Sequence, residues 1–252
     1  MPLRFTPRLR ALLSALAFCL LPLTALAQHT AVEPAPQRGQ AWLNRHESFL
    51  AEAKRGGIDL LFLGDSITDF WRDRARGLPV WEKKFAPLHA ANFGISADRT
   101  QHLLWRLAHG AVDGITPKVV VLLIGTNNTG FESDLKTPRN STAETIQGVT
   151  LVVHTLLTKL PRSKILLMAV FPRADEKGPP PGQQIPEINA ALARLADGKF
   201  VHFLDIGPKL LDANGAVARD LMPDLLHPNT KGYEIWAEAL REPLARLMAD
   251  PR

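Results

Sequence analysis

Lys118–Ile124 reads KVVVLLI, with no polar side chain after the first position. A strand with one face in water alternates apolar and polar residues. This run is apolar toward both faces, so both must be covered, as in a parallel sheet layered between helices. Ile58–Leu63 (IDLLFL), Leu88–Phe93, Lys164–Phe171 (KILLMAVF) and Phe200–Leu204 are four further strand-like runs. Helical periodicity separates them. Trp42, Leu43, His46, Phe49, Leu50 and Ala53 mark a helix over roughly 38–55, and Leu103, Leu104 and Leu107 mark one over Thr100–His109. A third is capped by Ser141 or Thr142, with Glu144 and Thr145 in its first turn, and runs to about Leu160. Glu187–Ala196 and Lys231–Met248 complete the set. Five strands alternating with helices predict an α/β protein with a mainly parallel five-stranded sheet. Pro172–Pro186 is a long loop after a strand, expected over the sheet's C-terminal edge, where open α/β sheets bind ligands.

The chain has 252 residues, of which 46% are hydrophobic and 22% charged, which suits one globular domain. Its first 27 residues differ from the rest. Arg4, Arg8 and Arg10 precede the apolar stretch Ala11–Leu23, and Ala25-Leu26-Ala27 is a cleavage-type site before Gln28. This predicts a secretory signal peptide over 1–27, too short in its apolar part for a stable membrane anchor, and hence a periplasmic or secreted protein. Without it, 27 basic residues face 25 acidic ones, which gives no electrostatic reason to expect nucleic acid as a partner. The one cysteine, Cys19, would leave with it, removing disulfide, thiol and cysteine-metal chemistry. Residues 28–38 read as a flexible leader and 39–252 as the single domain.

Gly64-Asp65-Ser66 directly follows the first strand. A serine on a tight turn at a strand's C-terminal end is placed like a nucleophile, although a Gly-Asp turn with a capping serine has the same letters. Among eight histidines, His227 stands out, because Asp224 lies three residues before it and Pro228 holds it extended ahead of the last helix. A carboxylate at that spacing can hold one imidazole nitrogen while the other accepts a proton from Ser66. Asn92-Phe93-Gly94 and Gly125-Thr126-Asn127-Asn128 end two further strands. Gly94 offers a backbone N–H and Asn127 an amide to a developing oxyanion, though both loops also read as ordinary turns.

In order, serine, glycine, asparagine, then aspartate and histidine resemble the four blocks of the SGNH hydrolase superfamily, the GDSL esterases and lipases. The resemblance runs from about Leu60 to about Leu240. It implies Ser66 as nucleophile, His227 as base and Asp224 as its orienting acid, with Gly94, Asn127 and the Ser66 N–H as oxyanion donors. NFGISADRTQHLLWRL (92–107), VVVLLIGTNN (119–128) and DLLH (224–227) look like the catalytic subunits of the intracellular platelet-activating-factor acetylhydrolases. That implies a flavodoxin-like, three-layer α/β/α fold and removal of short acyl groups, acetyl above all. It also implies an acyl pocket lined by Ile67, Thr126 and Leu226, and, since those relatives dimerise, leaves a homodimer open. Asn128 stands where many members of the superfamily carry Asp. The signal peptide departs from those cytosolic relatives and points to a small-molecule or carbohydrate ester as substrate.

Other classes lack their motifs. No H-E-x-x-H, no Gly-Lys-[Ser/Thr] after a glycine loop and no G-x-G-x-x-G follow any strand, so neither metal nor cofactor is expected. Trp71 is a candidate for the border of the site, Trp105 for the core, and Trp81 falls in an unassigned segment. Two alternatives remain open. One is a broader lysophospholipase, thioesterase or arylesterase; the other is an exported binding protein that kept the fold without the activity.

Overall fold

A computed structural model describes residues 29–174 and 184–249. The predicted signal peptide and the middle of the Pro172–Pro186 loop lie outside them. Five strands form one sheet in the order β2-β1-β3-β4-β5: β1 Leu60–Gly64, β2 Ala90–Gly94, β3 Val119–Leu123, β4 Lys164–Met168 and β5 Val201–Leu204. Every neighbouring pair is parallel, with Leu60 opposite both Ala90 and Val119. The sheet is therefore wholly parallel, with the strand order of the flavodoxin-like fold.

Alternation along the strands divides the core. Leu61, Leu63, Val120 and Leu122 face one layer, made by α1 (Gln40–Arg55), α4 (Thr100–Ala108), α5 (Thr142–Lys159) and α6 (Ile185–Ala193). Leu60, Phe62, Val119 and Val121 face the other, made by α2 (Ser66–Asp69), α3 (Leu78–Lys84) and α7 (Thr230–Ala249). In α7, Tyr233, Trp236, Leu240, Leu244 and Leu247 recur at helical spacing and are all buried. The α5 cap is as predicted: Ser141 Oγ accepts the Glu144 N–H and the Glu144 carboxylate accepts the Ser141 N–H. Among the described residues, no helix is long and apolar enough to cross a membrane.

Three expectations change. The second strand starts at Ala90 rather than Leu88, because Ala86–Leu88 is a 3-10 turn closed by His89 at φ 51°. Residues 29–38 are docked, not loose. Ala31 is buried and its carbonyl accepts the Thr100 hydroxyl, while Ala35 N–H donates to the Gln101 carbonyl. Trp71 is wholly buried, its ring 4.4 Å from Tyr233, so it is a core residue and not a border to the site. Trp81 packs on Phe62 in the same layer, and Trp105 is half-buried against Trp42.

Candidate active site

β1 runs straight into the nucleophile block. Asp65 caps α2, its Oδ1 accepting the Ile67 N–H at 3.0 Å, so Ser66 starts the helix. Gly64 and Gly94 let this turn sit tightly on the sheet. A Cβ on Gly64 would lie 2.2 Å from the Leu123 carbonyl oxygen, and one on Gly94 2.3 Å from the Asp69 nitrogen. Burial pushes the Asp65 carboxyl up to about 7; the Ile67 N–H opposes the shift and the charge of Asp98 adds to it.

His227 comes from the loop before α7. Ser66 Oγ lies 2.8 Å from His227 Nε2, and His227 Nδ1 lies 2.8 Å from Asp224 Oδ2. The other Asp224 oxygen accepts the backbone N–H groups of Leu226 (3.1 Å) and His227 (2.7 Å). One carboxylate thus shapes the turn and orients the ring. Leu225, between them, takes φ 61°, a left-handed conformation that a leucine holds at some cost. Phe70 packs on the imidazole with ring centroids 4.9 Å apart, and the Arg76 guanidinium covers Phe70 at 4.5 Å. Burial lowers the His227 pKa. The hydrogen bond and charge of Asp224 oppose this, and the positive charges of Arg76 and Arg173 reinforce it. Burial raises the Asp224 carboxyl, but its hydrogen bonds with His227 outweigh this and hold it below the ordinary carboxylate value. The arrangement is a hydroxyl with a neutral base already in contact.

The two glycine and asparagine loops fare differently. Asn127 is half-buried and its amide donates to the Asp98 carbonyl at 3.0 Å, which still leaves its second N–H. Gly94 is buried and its only N–H is donated to Asn92 Oδ1 at 2.9 Å. Its role is close packing under α2. The turn beside Asn127 is instead Ile95–Asp98, closed by the Asp98 N–H to the Ile95 carbonyl, with exposed Ala97 at φ 64°. That is the position where such a turn usually carries glycine, and the glycine three residues earlier in β2 drew attention from it. Ile67 and Thr126 have essentially no accessible surface, so of the three expected acyl-pocket residues only half-buried Leu226 presents any.

Sequence reasoning also missed the frame behind these turns. Arg106 is fully buried, pairs with Asp98 Oδ2 at 2.7 Å, and donates to the carbonyls of Phe93 (2.8 Å) and Gly64 (3.3 Å). Trp42 Nε1 and Gln37 Nε2 both donate to Asp98 Oδ1. Asn128 accepts the Thr100 N–H and donates to Thr100 Oγ1 and Asn140 Oδ1. An arginine on the apolar stripe between Leu103 and Leu107 was the available signal.

Residues 62–235 match the model of the GDSL-like Lipase/Acylhydrolase family. The chain belongs to this family. It is also 32% identical to subunit alpha1 of platelet-activating factor acetylhydrolase IB from Homo sapiens, over 88% of this chain and 92% of that one. Among solved structures, a GDSL-like lipase from Bacteroides thetaiotaomicron matches with TM-score 0.60 and 18% identity, covering 80% of this chain and 97% of that one. A catalytic mutant of an acetylxylan esterase from Geobacillus stearothermophilus matches with TM-score 0.57 and 20% identity, covering 78% and 98%. As a GDSL-like acylhydrolase the protein falls among ester-cleaving enzymes, and its relation to the platelet-activating-factor acetylhydrolase subunits spans nearly the whole chain.

Proposed function

We propose that the protein is an exported serine esterase that removes short acyl groups, acetyl first, through an acyl-enzyme on Ser66. The observation that carries this reading is the unbroken hydrogen-bond chain from Ser66 through His227 to Asp224. His227 Nε2 takes the Ser66 proton as Oγ attacks the ester carbonyl. Asp224 stabilises the imidazolium that forms. The oxyanion is held by the Ser66 N–H, the free N–H of Asn127 and, in place of Gly94, the Ala97 N–H. His227 then returns its proton to the leaving alkoxide. Water, deprotonated by the same nitrogen, attacks the acyl carbonyl, and His227 passes that proton to Oγ as the bond to Ser66 breaks.

The acetyl preference is supported by the names of relatives on two sides, an acetylhydrolase subunit and an acetylxylan esterase. Export rests on the arginines, apolar stretch and Ala-Leu-Ala of residues 1–27, and it favours an acetylated sugar or polysaccharide over a cytosolic lipid. Hydrolysis of p-nitrophenyl esters from C2 to C12 tests the reading. The expected result is turnover highest at C2, falling with chain length and absent in Ser66→Ala. Equal rates at C2 and C12 would remove the acetyl assignment, and residual full activity in Ser66→Ala would remove the mechanism.

A further inference from the structure

Beside α2 lies a cavity of about 630 Å³. Gln37, Arg38, Arg45, Asp69, Arg72 and Ser96 stand along it. Its place in the fold ties it to the site. Asp69 is one helical turn beyond Ser66, and Ser96 immediately precedes Ala97. The Ser96 hydroxyl donates to Asp69 Oδ2 at 2.8 Å, and Gln37 Nε2 donates to the Ser96 carbonyl at 3.1 Å. The wall of the cavity and the turn that carries Ala97 are therefore one connected piece.

Charge in this cavity does not balance. Asp69 is the one carboxylate among its lining residues, which also carry three guanidinium groups. Arg72 takes both Asp69 oxygens. Arg45 stays 3.8 Å from Asp69, donates to the Asn92 carbonyl and stands over the Phe49 ring at 4.5 Å. Arg38 is exposed and makes no hydrogen bond or ion pair among the described residues. Burial and then repulsion from Arg72 push Arg45 below its ordinary pKa, against the opposing charges of Asp69 and Glu52. An anion entering the cavity would relieve that repulsion, and two cations remain to meet it. The volume is that of an ordinary small-molecule site, enough for a sugar ring and its substituents.

We propose that this cavity binds an anionic group, a carboxylate or a phosphate, carried by the alcohol part of the ester. The inference rests on the esterase reading and narrows its substrate class to esters of acidic alcohols. Held there, the anion anchors the leaving group while the acyl carbonyl sits between Ser66 and the Ala97 turn.

The test compares kcat/KM for three acetate esters: a methyl glucuronoside, the matching methyl glucoside, and glycerol 3-phosphate. The native protein is expected to favour at least one of the anionic esters over the neutral glucoside by about tenfold, mainly through KM, with the preference shrinking as salt is added. Arg38→Gln should bring that ratio down to about threefold or less. A larger preference for the glucuronoside identifies an acidic saccharide as the source of the anion, and one for the phosphate identifies a polyol phosphate. Equal kcat/KM for neutral and anionic esters, with p-nitrophenyl acetate still hydrolysed, overturns this inference and leaves the esterase reading standing. A ratio unmoved by Arg38→Gln and by the double variant with Arg45→Gln overturns the assignment to this cavity. Folded protein that hydrolyses no ester, p-nitrophenyl acetate included, overturns both.

Discussion

The loop that brings His227 to Ser66 and the turns that bring Ala97 and Asn127 together are built in opposite ways. The histidine loop is local. Asp224 gathers two backbone N–H groups and the ring from within three residues, and its side chain is 46% exposed. The Ala97 and Asn127 turns are stitched from distant parts of the chain. Asp98 is held by Arg106, by Trp42 and by Gln37, and Asn128 by Thr100 and Asn140, all in the interior or against it. In the first region, chemistry can change while the fold stays. In the second, the contacts that place Ala97 and Asn127 are also contacts of the core.

Substitutions should expose that contrast. His227→Ala is expected to cut kcat by at least about 10⁴-fold while the urea midpoint stays near that of the native protein. Asp224→Ala should cost less, about 10²- to 10³-fold, because a backbone carbonyl or water can still orient the imidazole. A kcat below that of His227→Ala would contradict this. Arg106→Leu should do the reverse of His227→Ala. It strands buried Asp98 and two strand-end carbonyls, so a loss of about 3–5 kcal/mol in urea unfolding is expected. If Arg106→Leu proves no less stable than His227→Ala, the contrast between the two regions fails.

Smaller effects refine it. Arg76 lowers the His227 pKa from across the Phe70 ring. A histidine with a lowered pKa stays neutral, and so competent as base, to lower pH. Removing the positive charge in Arg76→Gln raises that pKa, so the acidic limb of the kcat/KM profile should move to higher pH with the alkaline side unmoved. Ala97→Gly replaces a left-handed alanine with the residue that this turn prefers. The relief, partly offset by the freer unfolded chain, should stabilise by up to about 1 kcal/mol by thermal unfolding, with kcat held within about twofold. A large loss of kcat would show that the alanine methyl itself contributes to the site.

How legible each region was follows the same division. The strands were readable because runs such as KVVVLLI have one physical solution. The Ser66, Asp224 and His227 contacts were readable because the Asp-x-x-His spacing is itself the geometry. The second region was not readable in this way. Asp98 in a turn and Arg106 in a helix look like solvated charges until the fold closes around them, and Asn128 looks like punctuation beside Asn127. Gly94 drew the donor role because glycine is the expected letter at an exposed turn, whereas here an alanine occupies that turn and the glycine serves packing. Trp71, five residues after Ser66, pointed toward the site by sequence proximity but is turned into the layer of α2, α3 and α7 by the short α2 helix.

The hydrogen bond between Ser66 and His227 joins residues 161 positions apart. A chain emerging from the ribosome presents Ser66 well before His227. Every intermediate in synthesis therefore holds an inert serine, and the hydroxyl acquires its partner only when α7 docks and lays down the loop before it. Hydrolytic competence is thus a late and global property of this molecule, and the appearance of esterase activity during refolding would time the arrival of its last helix.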